Sequence, residues 1–161
     1  MEFVSVGKLV NTHGLKGEVR ILSKFRYKDL IFKEGQYIYI GQNKLPFVIN
    51  NHRLHKNYDM LKLDGINCIE DAEKFKGSVV YINKEDLDLC GRLPLASDLI
   101  GYEVFVGDKS VVRVIEIMDN AAGEILVVSD NRTLIPYVNE FVIKINAKKN
   151  IIEIKNIGGL I

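Results

Sequence analysis

The sequence predicts an all-β protein of two small units joined by a short linker, and three observations carry that reading. Short runs rich in β-branched and aromatic residues recur along the chain, bounded by clusters of Gly, Asn and Asp. These runs do not alternate with long helical patterns, as a parallel nucleotide-binding sheet would require. Residues 83–97 lose β character and hold Gly91, Pro94, Ser97 and several acids, which divides the chain.

Taken in order, the first strand covers residues 3–10 and the second 18–22. Between them Asn11, Gly14 and Gly17 tolerate positive φ, so the segment reads as a hairpin with an elaborate tip. Residues 36–40 and 45–49 form another hairpin around Gly41, Gln42 and Asn43. A strand at 59–63 ends on the turn pair Asp64 and Gly65, and a further one covers 78–82. One short helix is expected over 69–76, because Glu70, Ala72, Glu73 and Lys74 favour it, its acids come early, Lys76 comes late and Gly77 ends it.

Beyond the divide, strand signals at 102–106, 111–117, 124–129, 133–135, 141–145 and 151–154 are separated by polar turns at 107–108, 120–123, 130–131 and 148–150. A spacing of about ten residues predicts a small antiparallel barrel or sandwich. The expected boundaries are a first domain over 1–85, a linker over 86–96 and a second domain over 97–161. The tail Gly158-Gly159-Leu160-Ile161 is apolar and either docks on the body of the protein or frays.

Composition narrows the class. A chain that is 47% hydrophobic and 27% charged is ordinary for a folded protein. No apolar run approaches the roughly 18 residues that span a bilayer, and Glu2 stands where a secretory signal would be basic, so a cytoplasmic protein without membrane contact is expected. Cys68 and Cys90 form no CxxC pair and read as packing or surface residues. Residues 1–85 carry 14 Lys or Arg against 10 Asp or Glu, net +4, while residues 86–161 carry 8 against 11, net −3, which together give the +1 of the chain. Such a division suits two units with different partners.

Motifs point to contact more than to chemistry. His52 and His55 form an HxxH pair beside Arg53 and Lys56, but no third ligand completes a metal site, and a solvated basic loop able to touch phosphate is the stronger reading. Ser5-Val6-Gly7-Lys8 fits SxxK, yet in a strand Ser5 and Lys8 would point to opposite faces. Gly14-Leu15-Lys16-Gly17 matches the GxxG loop of KH domains, but that loop joins two helices and both flanks here are β-rich. A hairpin tip whose amides and Lys16 could meet phosphate is what remains. No catalytic residue, cofactor or metal is expected.

The run Val6-Gly7-Lys8 through His13-Gly14-Leu15-Lys16-Gly17-Glu18-Val19-Arg20 resembles the opening of the RimM family of bacterial ribosome maturation factors. His55-Lys56, Leu61-Lys62-Leu63-Asp64-Gly65-Ile66, Asp71-Ala72-Glu73 and Gly77 continue the resemblance. Past the linker, Asp98-Leu99-Ile100-Gly101-Tyr102-Glu103-Val104, Leu134-Ile135-Pro136, Glu140-Phe141-Val142 and Gly159-Leu160 resemble the photosynthetic-reaction-centre (PRC) barrel of that family. Three places depart from its pattern: Pro94-Leu95-Ala96-Ser97 replaces an aromatic pair, Val112 stands two residues before a strand valine in place of glycine, and Phe25-Arg26-Tyr27 lacks a nearby Thr-Asp pair.

The resemblance implies a translation-factor-type N-terminal β-barrel and a C-terminal PRC barrel in a non-catalytic factor, expected to be monomeric, that binds the precursor of the small (30S) ribosomal subunit. It also implies association with small-subunit ribosomal protein nineteen in the head, contact with 16S rRNA there, and promotion of head assembly and 16S rRNA processing. Contact candidates are His13, Gly14, Lys16, Gly17, Arg20, Arg53 and Lys56 in the first unit and Leu134, Pro136, Tyr137 and Phe141 in the second. The rival reading is a general RNA-binding β-barrel adaptor with no ribosomal protein partner.

Overall fold

The computed structural model describes residues 1–107, 109–120, 123–129 and 133–155. The chain separates into two compact units, Met1–Asp88 and Leu89–Ile161. Leu87 packs on the core of the first, and Leu93 and Ala96 on the core of the second. Among the described residues no helix is long and apolar enough to cross a membrane.

Six strands build the first unit: β1 Phe3–His13, β2 Glu18–Leu22, β3 Tyr37–Ile40, β4 Leu45–His55, β5 Tyr58–Leu63 and β6 Val79–Asn83. They close into a barrel in the order β1-β2-β5-β4-β3-β6. Strict alternation drives closure, since Val19 and Ile21, Ile38 and Ile40, and Val80 and Ile82 point inward while Arg20, Tyr39 and Tyr81 lie on the other face. Each fully buried aliphatic side chain contributes about 1.5–3 kcal/mol over exposure.

Where β1 must pair with both β2 and β6, its register shifts between Ser5 and Gly7 and again between Leu9 and Asn11. The first shift breaks the expected alternation, so Ser5 and Lys8 are both exposed. Gly7 is required there, because a Cβ would stand 2.7 Å from the Leu22 carbonyl oxygen.

The basic stretch at 52–56 is not a loop as expected. It belongs to β4, paired with β5 through His52↔Leu61 and His55↔Tyr58, and only Lys56, at φ +57, and Asn57 turn the chain. A long polar strand has weak intrinsic β preference, and its ladder partner supplies what propensity lacks. The expected helix is shorter, α2 Ile69–Glu73, followed by turns that end at Gly77 with φ +88. A second helix, α1 Lys28–Ile31, lies between β2 and β3. Tyr27, Ile31 and Phe32 are buried there, and Lys28 Nζ donates to Asp59 Oδ2 at 2.9 Å.

The second unit holds β7 Glu103–Val106, β8 Lys109–Asn120, β9 Gly123–Val128, β10 Leu134–Pro136, β11 Val142–Asn146 and β12 Ile151–Ile154 in one barrel-like sheet, ordered β10-β9-β8-β7-β12-β11. Among the described residues all ladders of this unit but one are antiparallel; β12 runs parallel to β7, with Ile151 opposite Glu103, which corrects the wholly antiparallel expectation. Turn signals read locally cannot reveal this pairing, because the two strands meet across nearly the whole unit. Val104, Val114, Leu126, Val128, Ile135, Tyr137, Ile152 and Ile154 form the core, covered by the 3-10 turn Ala96–Leu99. The tail at 158–161 and the turn at 130–131 fall outside the described residues.

Candidate functional site

The β1–β2 hairpin ends in a turn in which Gly17 N–H donates to the Gly14 carbonyl at 3.4 Å. Both glycines have positive φ, +77 and +78, but their surroundings differ. Gly14 faces open space, whereas a Cβ on Gly17 would lie 2.5 Å from the Cys68 carbonyl oxygen, where α2 begins. One glycine therefore shapes the turn and the other lets α2 press against it. Leu15 and Lys16 project from the turn, Leu15 being 84% exposed.

Because β2 pairs with β5 and β5 with β4, the β4–β5 hairpin brings its basic residues beside this tip. The His13 and His55 rings lie 5.8 Å apart, and Arg20 Nη2 approaches His13 Nδ1 at 3.5 Å. The Arg20 guanidinium sits 5.1 Å from the centre of the Tyr58 ring, and its Nε is buried without a hydrogen-bond partner among the described residues. Arg53 instead grips Glu18 with both prongs, Nε to Oε2 at 3.0 Å and Nη2 to Oε1 at 2.7 Å.

This setting shifts three groups, and the hydrogen bonds to Glu18 raise Arg53 above its ordinary value. The hydrogen bonds from Arg53 hold the Glu18 carboxyl below its ordinary value, outweighing partial burial. His55 is pushed down by desolvation first and then by the cations of Arg53, Lys56, His13 and Arg20. The cations around His55 give the tip a local excess of positive charge. A cavity of about 540 Å³ opens beside it, lined by His13, Gly14, Leu15, Lys16, Glu18, Asn51 and Lys62. The Lys62 ammonium, in that lining, donates to the carbonyls of Leu63 and Ile66.

The first-unit candidates His13, Gly14, Lys16, Gly17, Arg20, Arg53 and Lys56 therefore gather at one end of the barrel. His55, Tyr58 and Glu18 join them. Glu18 on β2 meets Arg53 on β4 by a side-chain contact across the intervening β5, 35 positions away in the chain, which local sequence cannot show. The HxxH pair is split by strand geometry: His55 faces the tip, while His52 Nε2 lies 2.8 Å from Asp59 Oδ1, itself bonded to Lys28. Among the described residues no group of His, Cys, Asp and Glu is arranged to hold a metal.

In the second unit, Leu134 is 44% exposed, and Pro136 and Phe141 are half-buried. Tyr137, expected among the contacts, belongs to the core: it is fully buried and its hydroxyl donates to the Pro94 carbonyl at 2.6 Å. An aromatic with one polar atom is suited to such a site, where the ring fills the core and the hydroxyl reaches backbone.

A family model described as the RimM N-terminal domain matches residues 4–87, and one described as the RimM PRC barrel domain matches residues 96–160. The chain belongs to the RimM family. Its relatives include proteins named ribosome maturation factor RimM from Staphylococcus haemolyticus (strain JCSC1435), 35% identical, and Staphylococcus aureus (strain NCTC 8325 / PS 47), 36% identical, each over 98% of both chains. The protein of that name from Bacillus cereus (strain G9842) is 31% identical over 99% of both chains. The solution structure of the N-terminal domain of RimM from Thermus thermophilus is similar at TM-score 0.47 and 20% identity, over 55% of this chain and 96% of that one. A crystal structure of RimM from Pseudomonas aeruginosa is similar at TM-score 0.45 and 21% identity, over 97% and 98%.

Proposed function

We propose that this chain is a ribosome maturation factor that works by binding the maturing small subunit, with no bond made or broken. The observation that carries the proposal is the match of both domains, in order, to full-length relatives named for that role. The tip supports it. His13, Lys16, Arg20, His55 and Lys56 gather donors and positive charge with Glu18 already engaged by Arg53, which suits phosphate contact without base reading. The second unit, net −1 over Leu89–Ile161 (8 Lys or Arg against 9 Asp or Glu) and with Leu134, Pro136 and Phe141 on or near its surface, suits a protein partner, for which we assign small-subunit ribosomal protein nineteen. The chain would thereby hold the head protein and its 16S rRNA in a geometry that lets assembly and RNA processing proceed. To act as a chaperone it must prefer the immature subunit, since equal affinity for both states would shift nothing.

The test is recovery of subunits from cells with the intact tagged chain, alongside Lys16→Ala/Arg20→Ala. Small-subunit precursors containing protein nineteen are expected with the wild type. The logarithm of the affinity should fall linearly with log salt, and the double variant should lower that slope by about 1.4–1.8. Failure to recover any small-subunit component would sink the proposal, and recovery of RNA without protein nineteen would favour the general RNA-binding adaptor.

A further inference from the structure

On the outer wall of the first barrel, away from the residues of the tip cluster, three rings from three strands meet. Tyr39 on β3 lies directly opposite Tyr81 on β6, and Phe3 on β1 packs edge-on to both, with centroids 4.9 Å from Tyr39 and 6.5 Å from Tyr81. All three are partly exposed, and the fully outward Tyr37, 50% exposed, extends the row along β3. Lys44, in the β3–β4 turn at φ +52, sends its ammonium over this surface, 4.1 Å from the Tyr81 ring centre and 5.9 Å from that of Phe3. Asp86 stands in the 3-10 turn Lys84–Asp86 that follows β6 at once, next to Asn83, the ladder partner of Phe3, and it adds to the burial that raises the Tyr39 phenol. Glu2, also nearby in sequence to Phe3, is paired with Lys84 at 3.7 Å. Ring faces are negative at their centres, so a box of rings beside a carboxylate selects cations.

We propose that Phe3, Tyr39 and Tyr81 form an aromatic box that receives an arginine or lysine side chain from a basic protein segment, with Lys44 as a built-in occupant that the incoming side chain displaces. The seated ammonium of Lys44 shows the chemistry of the site. At a partly exposed site such a contact is weak, so displacement is cheap, and a planar guanidinium covers two rings better than an ammonium does. Asp86 adds attraction for a cation and repulsion for a nucleic-acid backbone, so a basic peptide is the fitting occupant. The proposal shares no residue with the tip and goes beyond the function assigned above.

Titration of the intact, isotopically labelled chain with acetyl-Gly-Arg-Gly-Arg-Gly-amide, followed by NMR, tests it. Shifts are expected at Phe3, Tyr39 and Tyr81, absent with the peptide in which Ala replaces Arg. Lys44→Ala should tighten binding about 2–5-fold by emptying the box, and Tyr81→Leu should abolish it. Tyr39→Leu serves the same purpose if Tyr81→Leu does not fold, as judged by its thermal transition. Weaker binding in Lys44→Ala, unchanged binding in the folded leucine variant, or shifts confined to the tip would each overturn the proposal. Oligouridylate binding at these rings that depends on Lys44 would overturn it in favour of a nucleic-acid surface.

Discussion

Gly14 and Gly17 share a conformation and differ in consequence. Replacing Gly14 by Ala forces a side chain into the left-handed region with nothing else disturbed, a cost of about 1–2 kcal/mol. Gly17→Ala adds a collision with the Cys68 backbone, and the expected loss is about 2–4 kcal/mol, read as a larger drop in the urea midpoint. The Glu18–Arg53 fork predicts a pH signature. The folded carboxyl titrates below its ordinary 4.5, so the pair's stabilisation is complete above that pH and disappears as pH falls through the lowered value. The thermal midpoint of Glu18→Gln should thus lie below that of wild type at pH 7 and meet it once pH has fallen below the lowered value. His55 acts earlier and with the same sign: held below its ordinary 6.5, it makes the folded state lose stability as pH drops under that value. The positive φ of both glycines was legible in the sequence; which of them is pressed against backbone, and the Glu18–Arg53 fork, were not.

At the scale of elements, strand existence was legible and strand reach was not. Ile38, Ile40, Val80 and Ile82 announce their strands by alternation, the β3–β4 hairpin turn was marked by Gly41, and the end of β5 by Asp64 with Gly65. The basic half of β4 was hidden because its polar composition masks a local hairpin with β5, and the short α1 because it is held by a partner distant in sequence. Asp59 is that partner for α1. It is 1% exposed and accepts from both Lys28 and His52, whose side chains remain partly in water. Asp59→Ala should cost about 1–3 kcal/mol, less than a fully buried pair, and should speed amide exchange first in α1. Faster exchange spread evenly over the barrel would show that Asp59 does not anchor that helix in particular.

For the whole molecule, the two-barrel division was legible because strand signals stop and restart, and the charge of each half could be counted directly. The order in which strands neighbour one another was not, as the parallel β7–β12 ladder and the β1–β6 closure both join ends of a unit. The closure has a consequence for synthesis. Phe3 pairs with Asn83, so the first strand emerges from the ribosome about 4–16 s before its closing partner has been made. During that interval β1 has one ladder edge unfilled, and its Val4, Val6 and Leu9 have no completed core to enter. The birth of this protein thus includes a period in which its own N-terminal strand needs shelter from neighbouring chains.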